Sequence, residues 1–336
     1  MKKTLLICCL ALAAVSYAHS QEKNPQTDHG FYVKLTGGYF FSVSPGQFPN
    51  VGSYPPQEVF KTIDPSTGAT TIVSQKVLTG SYGAGIRGGL SGGFQFNRFI
   101  AVELTANYYH SNKNLMTHEE DMLTTGQLAG KVISHGYVNA VDLAPGLVIS
   151  PGLQGRFNPY VRFGVVVPVW GRLKIETDAY KLSSVPNQPA IIAAQTTIAR
   201  KEEIKPNQTI GFQGALGVTY KLGTRLAVFL ETEYRNVPVK SKSKEITAYN
   251  EKTNVVNTSN GQTVATSGRT LNDLSVAERY TDYQTTLTQQ SNTPVATDPT
   301  KPTQTQYKNN NAHSNDLKSY INIGGLGLNL GLRFRL

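Results

Sequence analysis

The sequence predicts an all-β chain: an eight-stranded antiparallel up-and-down transmembrane β-barrel with long extracellular loops. Three observations carry that prediction. Apolar residues recur with a period of two, the strand period, and not with the helical one. Connections between the periodic segments alternate strictly between short and long. Aromatic residues gather at two levels one strand length apart, as two membrane–water interfaces select.

The first segment places Phe31, Val33, Leu35 and Tyr39 on one face, opposite Lys34 and Thr36. In the second, Ile86, Leu90, Phe94 and Phe96 oppose Arg87, Ser91 and Gln95. Asn97-Arg98 reads as a two-residue turn. The third segment then sets Ile100, Val102, Leu104, Ala106 and Tyr108 against Glu103, Thr105 and Asn107. Alternation on both sides of such a turn is a hairpin signal. The fourth sets Val141, Leu143 and Leu147 against Asp142 and Gly146. The fifth sets Val161, Phe163, Val165, Val167 and Val169 against Arg162 and Gly164. The sixth sets Phe212, Leu216, Val218 and Tyr220 against Gln213 and Thr219. The seventh sets Leu226, Val228, Leu230 and Tyr234 against Glu231, Glu233 and Arg235. The eighth sets Leu326, Leu328, Leu330, Leu332, Phe334 and Leu336 against Asn329, Arg333 and Arg335.

The short connections are Asn97-Arg98 and, roughly, 151–158 and 222–224; the long ones are roughly 44–81, 110–136, 171–209 and 238–318. A compact soluble domain rarely carries structureless loops of that length. An outer-membrane barrel does, with tight periplasmic turns and long external loops. Phe94, Phe96, Phe99, Tyr160 and Phe334 lie near the short turns. Tyr39, Phe41, Tyr82, Tyr108, Trp170, Tyr234 and Tyr320 lie at the long-loop ends.

Export is predicted from the N-terminus. Lys2-Lys3 precede an apolar run from Leu5 to Val15, and Ala18-His19-Ser20 offers a cleavage site. Residues 1–20 are therefore expected to be a signal peptide, and 21–336 one barrel domain. Cys8 and Cys9 leave with the signal, which excludes disulfide and thiolate chemistry from the mature chain. Charged residues make up only 16% of the chain, with a formal net charge of +10. Loss of Lys2 and Lys3 lowers it to +8. For an exported protein, that basic balance points to anionic membrane surfaces such as lipopolysaccharide phosphates and not to nucleic acid.

One apparent motif is excluded. Gly83, Gly85 and Gly88 spell G-x-G-x-x-G, with Glu103 where a ribose acid would sit. The element before it is polar, and the period after Gly88 stays at two. No helix N-terminus is therefore available to hold a phosphate.

The stretches GGFQFNRFIAVELTANY, LAPGLVIS, NPYVRFGVVVP and LAVFLETEYR, with the closing strand, resemble the eight-stranded outer-membrane β-barrel family. The transmembrane domain of OmpA is its familiar member. The resemblance covers the strand segments and none of the long loops. It implies a cell outer-membrane location, two periplasmic termini, four external loops and no cofactor. The peptidoglycan-binding domain of full OmpA-type proteins is not expected here.

The resemblance extends to the end of the chain. Asn329, Gly331, Phe334 and Leu336 fit the polar-x-Gly-x-x-aromatic-x-hydrophobic β-signal that outer-membrane assembly machinery recognises. An unpaired terminal strand offers free N–H and C=O groups for edge pairing. Leu336 departs from the pattern, since bacterial members usually end in an aromatic residue.

Eight charged residues fall on the non-lipid face: Arg87, Glu103, Asp142, Arg162, Glu231, Glu233, Arg235 and Arg333. A small barrel's lumen is filled by side chains, and buried charges must be paired. An ion-pair network plugging the lumen is expected, with a narrow porin-like pathway for ions or small solutes as the alternative. No catalytic site is expected. Glu231 and Glu233 are neighbouring inward positions on one strand, and His110 and Ser111 are adjacent, so they point apart. A lipid-modifying enzyme at the barrel mouth is the remote alternative.

Lys240, Lys242 and Lys244 alternate after Val239 and are expected to share the outward face with Tyr234, where they would meet lipopolysaccharide phosphates. The tracts TSNGQTVATSGRT and QQSNTPVATDPTKPTQTQYKNNN are polar and low in complexity, so they are expected to be mobile. Glu119-Glu120-Asp121 reads as a solvated loop, and no metal site is expected. The expected role is structural and interactive: membrane integrity, surface contact through the loops, and adhesion. The expected partners are outer-membrane lipids, the assembly machinery and a surface ligand.

Overall fold

The computed structural model describes residues 29–43, 45–153, 155–185, 187–189, 191–298 and 301–336. The expected signal segment 1–20, with Cys8 and Cys9, lies outside the described residues. Among the described residues, regular structure is β-strand apart from Leu271–Asp273 and Val276–Arg279. Its frame is β1 (Gly30–Phe41), β2 (Gly85–Gln95), β3 (Ile100–Ser111), β4 (Leu128–Ile149), β5 (Phe157–Ser184), β6 (Gly211–Lys221), β7 (Leu226–Asn236) and β8 (Leu326–Arg335). Each strand pairs antiparallel with the next, and β8 pairs with β1. These strands belong to a seventeen-stranded sheet that continues beyond them.

Along the frame, burial follows the period-two pattern in an inverted sense. Phe31, Leu35, Leu90, Phe163, Leu216 and Leu330 are exposed. Lys34, Arg87, Glu103, Arg162, Glu231 and Arg235 are buried. Among the described residues, no helix is long and apolar enough to cross a membrane.

The first short connection differs from the expected two-residue turn. β2 ends at Gln95 and β3 starts at Ile100, leaving four residues between them. Asn97 Oδ1 accepts from the Phe99 and Ile100 N–H groups at 2.8 and 2.9 Å. A two-residue hairpin turn of type I′ needs positive φ at both central positions. Neither Asn97 nor Arg98 adopts it. The Asn97 side chain closes the wider turn instead.

The long connections are also ordered differently from the expected structureless loops. β4 and β5 run for 22 and 28 residues. A membrane-crossing strand needs only about 10. At about 3.3 Å per residue, β5 extends some 90 Å, well past any bilayer. Its far half pairs with Ile192–Pro206, which pairs in turn with Pro238–Asn257. The far half of β4 pairs with Asn114–Leu123. These extensions build a head on the long-connection side.

Two pairings in the head are parallel, against the all-antiparallel expectation: Gln57–Ile63 with Asn114–Leu123, and Tyr280–Gln284 with Ser314–Leu317. The tracts expected to be mobile carry the strands Thr263–Thr270, Pro294–Asp298 and Lys301–Tyr307. In the first, the Gly261 N–H closes on the Asn257 carbonyl at 2.8 Å, with Gly261 at a φ of +72° that favours glycine. Polar composition hides Thr263–Thr270, because both of its faces are largely exposed and neither needs to be apolar. Val276–Arg279 adds one helical turn, closed by a capping box between Ser275 and Glu278.

A β-bulge separates frame from head. The β4–β5 register shifts between Pro168 and Trp170. One extra residue flips every later side chain to the other face. Before the bulge, Tyr160, Arg162 and Val166 are buried; after it, Leu173 and Ile175 are. A strict period of two would have left Leu173 and Ile175 outside. They join Val138, Ala140, Ile204, Val237, Val239 and Ile323 in an apolar core.

Two of the aromatics expected at the interfaces point inward instead. Tyr160 lies in the inner register beside Arg162 and is buried. Tyr82 is fully buried and packs against Phe48, with ring centroids 5.3 Å apart. Phe96, Phe99, Tyr39, Phe41, Tyr108, Trp170, Tyr234 and Tyr320 are exposed.

Candidate functional site

The interior of the frame holds one connected charged cluster. On β1, the Tyr32 hydroxyl donates to Glu103 at 3.1 Å, and Lys34 Nζ donates to the same carboxylate at 3.2 Å. On β5, the Tyr160 hydroxyl donates to Glu231 at 2.9 Å, and Arg162 Nε donates to it at 3.3 Å. The sequence separations are the same in both sets, 71 for the tyrosine and 69 for the cation. Each ring covers a glycine on a neighbouring strand, Tyr32 over Gly93 and Tyr160 over Gly217. A Cβ on either glycine would collide with the ring.

These two sets lie four strands apart around the pairing order, and they interlock. Arg162 Nε is 3.9 Å from Glu103, and Lys34 Nζ is 4.0 Å from Glu231. The result is a four-membered ring of alternating sign. Each charge has two opposite neighbours, which is what burial of an ion requires.

A second tier continues the network. Arg162 reaches Glu233 at 3.4 Å. Arg235 donates through Nε to Glu233 and through Nη1 to Asp142 at 3.0 Å. Asn107 donates to Asp142 at 2.8 Å, and Asn329 donates to Glu233 at 2.6 Å and to Glu231 at 3.3 Å. Six of the eight residues predicted for the lumen therefore form one network: Glu103, Asp142, Arg162, Glu231, Glu233 and Arg235.

The other two stand apart. Arg87 is buried between the rings of Phe40 and Tyr109, 4.3 and 4.8 Å from their centroids, and is in no ion pair among the described residues. Arg333 lies 3.9 Å over the Tyr32 ring and donates to Gln95 at 2.7 Å, nearer the short turns.

Lys34, Tyr32 and Tyr160 were not among the predicted site residues. The repeated Tyr-Val-Lys of 32–34 and Tyr-Val-Arg of 160–162 is the signal that marks them. Of the predicted assembly residues, Asn329 is a buried ligand of the network, and Gly331 admits the Phe229 ring. Phe334 is half-buried, opposite Val33 and Leu226, and Leu336 is exposed.

The three lysines separate. Lys240 and Lys242 are exposed, with Lys240 over the Tyr320 ring. Lys244 departs from the expected outward row. A register shift between Lys205 and Pro206 turns it inward, 3.3 Å from the buried Glu202. Burial disfavours the Glu202 charge, but Arg200 and Lys244 outweigh it and hold the carboxyl below its ordinary range. His110 and Ser111 do point apart. His110 Nδ1 meets Asn139 Oδ1 at 2.6 Å, while the Ser111 hydroxyl accepts from the Val138 N–H. No group of His, Cys, Asp and Glu among the described residues is arranged to hold a metal ion.

No family model matches this chain, and no curated protein does. Among solved structures it is similar to the outer membrane protein OprG from Pseudomonas aeruginosa, at 10% identity and a TM-score of 0.38. That match covers 93% of this chain and 99% of the other. A likeness of this size carries no argument about what the chain does.

Proposed function

We propose that β1–β8 close into an eight-stranded, OmpA-like transmembrane barrel of a bacterial outer membrane, with the head outside and both termini periplasmic. The observation that carries this reading is the inversion of polarity. Phe31, Leu90, Phe163, Leu216 and Leu330 face outward without cover, while an ion network fills the interior. Water would leave that outer belt exposed; hydrocarbon solvates it, and strand closure satisfies the backbone.

In this reading the role is structural and interactive. The network plugs the lumen, the apolar core above it stoppers the head side, and the head meets surface ligands and supports adhesion. Lys240 and Lys242 meet lipopolysaccharide phosphates, and β8 is the strand that assembly machinery reads. Circular dichroism of protein refolded in detergent, together with heat-modifiable migration, tests the barrel; substantial helix would overturn it. Planar-bilayer recording tests the plug. A silent bilayer is expected, and steady conductance abolished by Arg87→Ala or Glu103→Ala would establish a pore instead. Protease digestion of whole cells should cut the 258–262 turn and spare the 96–99 turn.

A further inference from the structure

The wall of the frame changes partners beside the bulge. β5 pairs with β6 up to Val166–Gly211, and with Ile192–Pro206 from Leu173–Ile204 onward. Between them, residues 167–172 have no backbone partner on that edge among the described residues. Pro168 and Pro206 flank the opening and have no N–H to leave unpaired. Arg172 Nη1 donates to the Gly171 carbonyl at 2.7 Å and satisfies one acceptor there. The opening leads to a slot of about 30 Å³. Buried Ala140, Leu173, Ile204, Val239 and Ile323 line its depth, and exposed Trp170 and Lys240 stand at its mouth.

We propose that this slot is a binding site for one acyl chain of an anionic outer-leaflet lipid. The proposal rests on the outer-membrane reading above. The mouth lies at the level of exposed Trp170 and Tyr320, where the apolar belt of the frame gives way to the head. The walls offer hydrocarbon and few polar partners, so a chain end is a better occupant than water. The volume suits about two or three methylene-sized groups. Positive charge at the mouth comes from Lys240, over the Tyr320 ring, and from Arg172, beside Trp170. Arg172 has Glu203 at 3.9 Å, so Lys240 is the contact for the lipid phosphate.

Trp170 is the one tryptophan of the chain, so its fluorescence reports on the mouth of the slot. The test uses the full chain refolded in zwitterionic detergent, on material that shows heat-modifiable migration. Phosphatidylglycerol brominated on its acyl chains is added at low mole fraction. Quenching should saturate at about one lipid per chain. A linear dependence on mole fraction would mean collision with the belt, and it overturns the site. Gly171→Leu fills the slot, and the first carbon of its side chain meets only ordinary contacts of 3.6 and 3.7 Å. It should weaken binding by at least about ten-fold, as loss of two buried methylene groups would. Lys240→Gln should reduce the preference over brominated phosphatidylcholine by about two- to five-fold. Unchanged affinity in Gly171→Leu, or equal affinity of the parent chain for the two lipids, also overturns the proposal.

A competition on the unaltered chain stands beside it. Unbrominated phosphatidylglycerol should restore the fluorescence, and glycerol phosphate should not. Recovery with glycerol phosphate would show that a headgroup binds without its chain, and it overturns the acyl-chain assignment. Absence of the heat-modifiable form would overturn the barrel and this site together. A linear titration on the migrating form would overturn the site alone.

Discussion

Along β5, the side chains of Tyr160 and Arg162 point into a charged interior, and those of Leu173 and Ile175 point into an apolar one. Both regions share one sheet and one backbone pattern. In the frame, charges are inside and hydrocarbon is outside. In the head, the hydrocarbon is inside, and the pair Lys113–Glu176 sits on the surface at 2.7 Å. Backbone pairing is indifferent to the solvent, and only the side chains record it. One bulge at Pro168/Trp170 lets a single strand serve both environments.

The largest test of this contrast is Glu231→Ala. It leaves Arg162, Tyr160 and Lys34 facing a vacancy inside the frame. Loss of one partner of a buried ion network costs about 3–5 kcal/mol. Urea unfolding of the refolded protein in vesicles should show that loss, and a change near zero would mean the network holds nothing together.

Next comes Leu216→Arg, on the outward face at mid-strand. If that face meets lipid, a cost of about 2–4 kcal/mol is expected in the same assay. No cost would place the frame in water and remove the contrast.

The third test is acid. Glu202 lies in the head with its carboxyl held below its ordinary range. A lowered folded pKa contributes stability above the unfolded value of 4.5 and loses it as pH falls through that region. Proteolysis of the head should accelerate below that pH while the frame keeps its heat-modifiable migration. Lys244→Ala should move the onset to higher pH. The smallest effect is expected from Lys113→Ala, since an exposed ion pair is screened by water. Its unfolding curve should overlay that of the parent chain.

The frame was readable because its two faces differ. Alternation of Leu and Phe with Glu and Arg marked eight segments, and it marked six members of the network before any pairing was known. The head was not readable in the same way. Thr263–Thr270 and Lys301–Tyr307 alternate nothing, so they looked like mobile tracts although they pair as strands. The pattern puts Lys244 on the outward face and leaves Leu173 in the 171–209 connection with no face at all. Each lies beyond a bulge, and a single inserted residue reverses parity without altering the local sequence pattern.

The sequence by itself determined the strands of the frame, their order and the sign of each face, because period-two burial is a local property. The tertiary structure decided which charges meet. Lys34 reaches Glu103 across 69 residues, and Arg162 reaches Glu231 across the same interval four strands away. No local pattern sets those distances. Register does, together with the glycines at 93 and 217 that let Tyr32 and Tyr160 lie flat against the neighbouring strand. Register is a property of pairs of strands, and it exists only once the sheet has formed.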